Sequence, residues 1–272
     1  MSALIEQHIT KYLDFGLNDD SQYRDSISSI AQLVSQKVLT IKELITALGS
    51  FLTGTDEKLR GRATLLLVEV TDILSFDPIN ISSNSITQLS IFFSGRLSDF
   101  PSLLSSLRGL EVIISHHSDR VIPRNPFIRG IAKAIGEVNV QSLSQSYRAA
   151  AYRVYLSLLS SDCAVQSLGG KSSSRHDTTS AVTSSSRVEA EQQRNTDDDI
   201  ANLSYAYGGS DAAAADTDLA LVNVSRDLVD AIISATDGER DPRTLLLSLG
   251  LMRRMLDSFD RDIIDLFADR VS

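Results

Sequence analysis

Residues that could act as metal ligands or nucleophiles are scattered along this chain. His116 and His117 are adjacent, but neighbouring residues of a helix point in different directions, and a metal centre needs three or four converging ligands. Cys163 is the only cysteine, and no basic cluster that would activate a thiol stands beside it in sequence. The acidic run at 197–199 lacks the residue spacing of a calcium-binding loop. These residues predict no catalytic centre, no metal site and no cofactor.

Glycines do not indicate a nucleotide site either. Gly49, Gly54 and Gly61 form neither a dinucleotide-binding fingerprint nor a phosphate-binding loop, and no strand-helix-strand pattern surrounds them. They are better explained as helix ends or as points of close helix packing. We therefore predict that the protein is not an enzyme.

Arginines give the chain its one candidate binding surface. They lie in the second helix of each predicted helix pair, so that they could form a row of positive charges that binds acidic groups of a partner. The candidate residues are Arg60, Arg62, Arg108, Arg148, Arg153 and Arg243. The alternative is that these arginines pair with acidic residues close to them in sequence, namely Glu57, Glu69, Glu111, Asp237, Glu239 and Asp241. We favour local pairing because the acids lie so near.

Composition limits the class of protein and of partner. The chain has 272 residues, 42% of them hydrophobic, so it can bury a sizeable core. The formal net charge of −9 argues against binding nucleic acid through a broad basic face. A single cysteine favours a reducing compartment, and we predict the cytoplasm and nucleus. No apolar run approaches the roughly 20 residues of a membrane span, so we expect no membrane partner.

One apolar pattern recurs at helical spacing, with steps of four, three and four residues that keep it on one helix face. The first three copies begin at positions 59, 103 and 147, which are 44 residues apart. The copies are Leu59/Ala63/Leu66/Val70, Leu103/Leu107/Leu110/Ile114, Tyr147/Ala151/Val154/Leu158 and, fourth, Leu245/Leu249/Met252/Leu256. Such a period is typical of HEAT and armadillo repeats, which stack antiparallel helix pairs. The sequence predicts an all-α solenoid of the HEAT/ARM type, in which these stripes are buried.

A polar stretch interrupts the period before the fourth copy. Residues 163–217 are rich in Ser, Thr, Asp and Gly, and removing about 55 residues there restores the spacing. We interpret 163–217 as a disordered, low-complexity insertion. The remaining predicted boundaries are an N-terminal helical cap at 1–37, repeats at 38–162, and a further repeat of the same solenoid at 218–272.

Several stretches resemble one known family in the same order along the chain. They are Ala47–Ser50 with the helix containing Arg60–Ala63, LSIFFSGRLSD from Leu89, LRGLEVI from Leu107, EVNVQSLSQ from Glu137, and DGERDPRTLL from Asp237. Together they are similar to the N-terminal domain of the methyl-methanesulfonate-sensitivity protein nineteen family, a nucleotide excision repair family of HEAT proteins. The resemblance covers about 37–267 without the insertion. It implies that the family's further repeats would follow this segment.

This resemblance implies a function without catalytic residues. Family members act as adaptors of the cytosolic iron-sulfur protein assembly targeting complex, which delivers clusters to apoproteins of DNA replication, repair and transcription. The expected partners are other subunits of that complex and apo iron-sulfur clients such as DNA helicases and polymerases. The alternative is a generic HEAT-repeat scaffold, such as a fragment of a transport receptor or of a phosphatase scaffold.

Overall fold

The computed structural model describes residues 2–14, 20–77, 80–118, 126–170, 214–259, 261 and 265. Within these residues the secondary structure is helical and includes no strand. A short 3-10 helix spans Val140–Ser142. The α-helices are α1 Ser2–Asp14, α2 Asp20–Ser35, α3 Ile41–Ala47, α4 Gly49–Thr53, α5 Glu57–Ser75, α6 Ser83–Gly95, α7 Phe100–His117, α8 Pro126–Gly136, α9 Gln145–Ser160, α10 Asp162–Ser167, α11 Ala214–Thr236 and α12 Pro242–Ser258.

Helices stack in two layers. In one layer α5 packs on α7, α7 on α9, and α9 on α12. In the other layer α3 packs on α6, α6 on α8, and α8 on α11, while α6 with α7, α8 with α9 and α11 with α12 form the pairs that join the layers. The N-terminal pair of α1 and α2 continues the stack, because α2 also packs on α5. This arrangement confirms the predicted all-α solenoid.

Local signals explain where the helices begin in the layer that contains α5, α7, α9 and α12. The side chain of Asp56 accepts hydrogen bonds from the backbone of Lys58 and Leu59 at the start of α5. Asp241 does the same at the start of α12, where Pro242 occupies the first turn and loses no helical hydrogen bond by lacking an N–H. Asp99 precedes α7 without such a bond, because its carboxylate has other partners.

Three of the four predicted apolar stripes are buried or half-buried, as expected. The fourth is a correction, because Leu245, Leu249 and Leu256 on α12 are 38%, 60% and 57% exposed. The helix instead buries a neighbouring face, made of Thr244, Ser248, Leu251 and Met255. Every earlier helix of this layer lies between two others, whereas within the described residues α12 packs on α9 and α11 and has no following helix.

The predicted insertion begins too early and ends too late. Residues 162–167 form α10, whose first turn is capped by the side chain of Ser161. Ala164, Val165 and Leu168 are buried, and α11 already begins at Ala214. The prediction missed α10 because this short amphipathic helix, which packs on α9, lies next to a long polar stretch. Residues 171–213 lie outside the described residues, so disorder there stays a prediction, as do the other domain boundaries.

Close packing of α6 on α7 requires a glycine. A Cβ atom at Gly109 would lie 2.7 Å from the ring of Phe93, which is fully buried. We expect Gly109→Ala to lower the free energy of unfolding by about 1–2 kcal/mol, since overpacking costs more than alanine gains in helix propensity. Urea denaturation measures this difference.

The control for this substitution is Gly130→Ala in the middle of α8, where nothing lies within 4 Å of an added Cβ. That variant should be as stable as the parent, or more stable by up to about 1 kcal/mol, because alanine favours a helix. Equal stability changes in the two variants would contradict the packing argument.

Candidate protein-binding surface

The structure divides the six candidate arginines into two groups. Arg60, Arg62 and Arg148 are partly buried and hydrogen-bonded to other repeats or loops. Arg108, Arg153 and Arg243 are exposed. The first group holds the solenoid together, and the second remains available on its surface.

Arg60 joins α5 to the loop that precedes α7. Its Nη2 lies 3.3 Å from Oδ1 of Asp99, and its Nη1 donates to the carbonyl oxygen of Gly54 at 2.8 Å. Arg96 lies 3.7 Å from the other oxygen of Asp99. Burial alone would raise the pKa of Asp99, but hydrogen bonds from Ser102 and Arg60 and the charge of Arg96 lower it below its usual value. Asp99 is therefore held in its ionised form between two repeats.

Arg148 makes the equivalent contact between α9 and the loop that precedes α12. Its Nε donates to Oε2 of Glu239 at 2.8 Å, and its Nη1 donates to the carbonyl oxygen of Leu143 at 2.8 Å. The Tyr152 hydroxyl also donates to Glu239, at 3.0 Å, and to the carbonyl of Ala235, at 2.6 Å. The side chain of Glu239 is only 3% exposed.

The electrostatics of this junction favour a charged carboxylate despite its burial. Burial would raise the pKa of Glu239, but hydrogen bonds from Arg148, from the backbone of Asp241, and from Thr244 and Tyr152 lower it to about 2. Burial also raises the pKa of the Tyr152 phenol, so the phenol stays protonated and donates a hydrogen bond to the carboxylate.

The contacts of Arg60 and Arg148 join neighbouring repeats in the same way. Arg60 and Arg148 each occupy the fourth position of their helix and are two 44-residue periods apart. The residue midway between them in sequence is Leu104. At that junction the rings of Phe100 and Tyr147 stack instead, with centroids 5.2 Å apart. Glu239 is one of the acids expected to pair with the arginines, but it lies 91 residues from Arg148, so this contact joins two repeats and is not a pairing of sequence neighbours. Arg60 pairs with Asp99, which lies 39 residues away and was not among the expected acids.

Arg62 belongs to a third polar cluster, which attaches the N-terminal helices. Its Nη2 donates to the carbonyl oxygen of Tyr12 at 2.6 Å. The hydroxyls of Tyr12 and Tyr23 both donate to the Glu69 carboxylate, at 2.8 Å and 2.5 Å. The two phenol rings stack with their centroids 4.7 Å apart. Neither tyrosine is predicted from the sequence, because only the packing of α1 and α2 on α5 brings residues so far apart in the chain to the Glu69 carboxylate.

The exposed arginines of α7 and α9 lie on either side of one half-buried acid. Burial raises the pKa of Glu111 above its ordinary value, although the charges of Arg153 and Arg108 act against this rise, and Asp72 on α5 adds to it. One helical turn further along, the hydroxyls of Ser115 and Ser157 lie 3.1 Å apart. We call this surface the α7–α9 ridge and define it by Arg108, Glu111, Ser115, Arg153 and Ser157.

Other sequence candidates for chemistry lie apart from this ridge. His117 is buried, and its Nε2 lies 2.9 Å from the Ser75 hydroxyl, whereas His116 is exposed beside the ring of Phe76. Cys163 is half-buried in α10. Among the residues that the structure describes, no three His, Cys, Asp or Glu side chains could hold a metal ion together. A search of the same residues finds no helix with the length and apolarity to cross a membrane.

Comparison with known families identifies a family whose model matches this chain. The family model described as "Dos2-interacting transcription regulator of RNA-Pol-II", which is the MMS19 N-terminal domain, matches residues 45–188. The chain belongs to this MMS19 family. The match begins in α3 and includes all of the α7–α9 ridge, whereas α11 and α12 lie beyond it. The resemblance found in the sequence is thereby confirmed.

Two curated relatives are similar to this chain. The MMS19 nucleotide excision repair protein homolog of Arabidopsis thaliana is 29% identical over 154 residues, which are 56% of this chain and 13% of the relative. The homolog of Dictyostelium discoideum is 26% identical over 131 residues, which are 48% of this chain and 11% of the relative. The matched region therefore spans only about an eighth of these relatives. No solved structure matches the chain.

Proposed function

We propose that this chain is a protein-binding part of an MMS19-type adaptor with a role in nucleotide excision repair. The observation that carries the proposal is the exposed α7–α9 ridge within the segment that matches the family. Two arginines beside one carboxyl offer charge-assisted hydrogen bonds to acidic and polar side chains of a partner. The curated relatives are named as nucleotide excision repair protein homologs, which supports the role in repair.

Within this role, we propose that the adaptor serves the cytosolic iron-sulfur assembly targeting complex. Its partners would be other subunits of that complex and apo iron-sulfur proteins of DNA metabolism, such as helicases and polymerases, in the cytoplasm and nucleus. One cysteine cannot ligate a cluster by itself, since clusters are held by several thiolates. An adaptor of this kind recruits the client, and other proteins transfer the cluster.

The first experiment tests this proposal at the level of the partners. The natural protein that contains this chain is captured by affinity from its own cells, and the bound proteins are identified. We expect iron-sulfur assembly subunits and DNA repair helicases or polymerases among them, and we expect iron-sulfur enzymes to lose clusters when the gene is deleted. Partners restricted to import cargo or a phosphatase, with clusters retained after deletion, would contradict the proposal.

A second experiment tests the ridge. In the double variant Arg108→Glu/Arg153→Glu we expect the affinity for a captured partner to fall about tenfold or more, because two attractive charges become repulsive. Both side chains are exposed, so the fold should be retained, but two new carboxylates beside the half-buried Glu111 should lower the melting temperature. Circular dichroism at the assay temperature checks that the variant is folded. Titration of the purified partner by calorimetry measures the affinity.

The matched control for the ridge is Arg226→Glu, which reverses an exposed charge on α11 in the other layer. Its affinity for the partner should equal that of the parent. If Arg226→Glu weakens binding as much as the ridge variant does, overall charge and not the ridge governs recognition.

A further inference from the structure

The exposed face of α7 carries an apolar end next to its charged part. Phe100 is 62% exposed and Leu104 is 38% exposed, and they precede Arg108 at steps of four residues. In a helix of 3.6 residues per turn, these three residues lie on the same side as Glu111 and Ser115 of the ridge. One continuous face of α7 is therefore apolar at its start and charged further along.

The aromatic contact between α7 and α9 leaves much of Phe100 in water. Its ring stacks on that of Tyr147 with an interplanar angle of 13°, and a stack covers only one face of a ring. At the neighbouring junctions, the position of Leu104 is occupied by Arg60 or Arg148, each of which binds an acid of the next repeat. The α7 face therefore offers an open aromatic ring and a leucine where the adjacent repeats have paired charges, and aromatic side chains are common anchors of protein interfaces.

The charges beside this apolar end favour an acidic occupant. Arg108 follows Phe100 by about 12 Å along α7, and Arg153 of α9 acts with it on the half-buried carboxyl of Glu111. Asp72 acts on the same carboxyl from α5, on the other side of α7. Among the residues that the structure describes, neither arginine has a carboxylate within 4 Å. Two exposed guanidinium groups next to an apolar patch complement an apolar side chain accompanied by a carboxylate.

The surface also favours one secondary structure for the occupant. The described part of the chain contains no strand, so this surface has no sheet edge that could supply backbone hydrogen bonds to an extended peptide. A helix satisfies its own backbone groups and can lie along another helix. On such a helix, side chains that reach Phe100 and Arg108 would be two turns apart, which is about seven or eight residues.

We propose that the face of α7 from Phe100 to Arg108 binds an acidic amphipathic helix of a partner protein. A large apolar side chain of that helix covers Phe100 and Leu104, and an aspartate or glutamate two turns away pairs with Arg108 and Arg153. The inference rests on the proposed protein-binding role of the α7–α9 ridge, to which it adds an apolar anchor and the chemistry of the partner.

Photo-crosslinking tests which segment covers Phe100. The natural protein that contains this chain carries p-benzoylphenylalanine in place of Phe100, its own cells are irradiated, and the attached peptide is sequenced. We expect a segment of another protein with the apolar periodicity of a helix and an acidic residue two turns from a large apolar one. The same crosslinker in place of Phe76, which is 79% exposed at the end of α5, should not capture this segment.

A synthetic helix with the captured sequence then measures the contribution of the apolar anchor by calorimetry. Phe100→Ser should weaken its binding about tenfold, and Leu104→Ser, which leaves the aromatic stack intact, should weaken it severalfold. The matched control is Ile91→Ser, which removes an apolar side chain that is also 62% exposed from α6 in the other layer. Its affinity should equal that of the parent.

The possible results separate this inference from the proposed function. The inference is overturned if no segment is attached at position 100, if the attached segment lacks the acidic spacing, or if it comes from a second copy of this chain. Unchanged affinity in both Phe100→Ser and Leu104→Ser also overturns it, and if Arg108→Glu/Arg153→Glu still weakens binding, the ridge acts through charge alone and the proposed function stands. Full affinity of Arg108→Glu/Arg153→Glu would instead contradict the ridge itself.

Discussion

Glu239→Ala should lower the free energy of unfolding by about 3 kcal/mol at neutral pH. The carboxylate is nearly inaccessible and accepts hydrogen bonds from the guanidinium of Arg148 and from the backbone N–H groups of Arg240 and Asp241. Removing it leaves a partly buried positive charge without its anion and two backbone donors without an acceptor. The hydroxyl of Tyr152 loses less, because it still donates to the carbonyl oxygen of Ala235. Urea denaturation gives the difference.

The effect of this substitution should depend on pH in a defined direction. The pKa of Glu239 falls from 4.5 to about 2 on folding, so the ionised carboxylate stabilises the folded state fully at pH values above 4.5. That contribution is lost as the pH falls towards 2, because the folded protein then also takes up the proton. A shift of this size is worth about 3 kcal/mol, which agrees with the estimate from the lost contacts. The stability curves of parent and variant should therefore converge in acid.

The control is Asp237→Asn, which removes an exposed charge from the same loop. It should change the free energy of unfolding by no more than about 0.5 kcal/mol. If Glu239→Ala costs as little as Asp237→Asn, or if its cost does not change between pH 7 and acid, the carboxylate does not hold α9 to α12.

The periodic part of the fold could be predicted from the sequence, for a physical reason. Each repeat of a solenoid packs against its neighbours in the same way, so the same apolar spacing appears at 44-residue intervals in α5, α7 and α9, and these three copies bury the same face. The prediction fails at α12, where spacing alone cannot tell whether another helix follows to cover the stripe. It also fails at α10, because six residues with a single buried face are too short to produce a periodic signal.

The contacts between repeats could be predicted only in part. Glu239 was expected to pair with an arginine close to it in sequence, yet it pairs with Arg148, which is 91 residues away and adjacent only because α9 packs on α12. Asp99 occupies the N-cap position of α7, yet its carboxylate binds Arg60 and Ser102 instead of capping the helix. Whether the Asp99 carboxylate caps α7 or binds Arg60 depends on the distance between α5 and the start of α7. That distance follows from close contacts between the two helices, such as that of Gly61 with Pro101.

Glu69→Ala should release the N-terminal helices from the rest of the solenoid. The Glu69 carboxylate accepts hydrogen bonds from Tyr12 on α1 and from Tyr23 on α2. Burial and these bonds raise the pKa of Tyr23 to about 12, so both phenols remain donors across the neutral range. Losing a shared acceptor for two part-buried hydroxyls should cost about 2–3 kcal/mol. Glu69→Gln keeps one acceptor oxygen and should cost about half as much.

The readout that separates this role from a general loss of stability is local. In hydrogen exchange, the amides of α1 and α2 should lose protection in Glu69→Ala, whereas those of α7 and α9 should keep it, because each repeat of a solenoid is stabilised mainly by its neighbours. Asp25→Asn, which changes an exposed acid on α2, serves as the control and should leave both regions protected. Equal loss of protection across α1, α2, α7 and α9 would mean that the N-terminal pair folds as one cooperative unit with the repeats that carry the ridge.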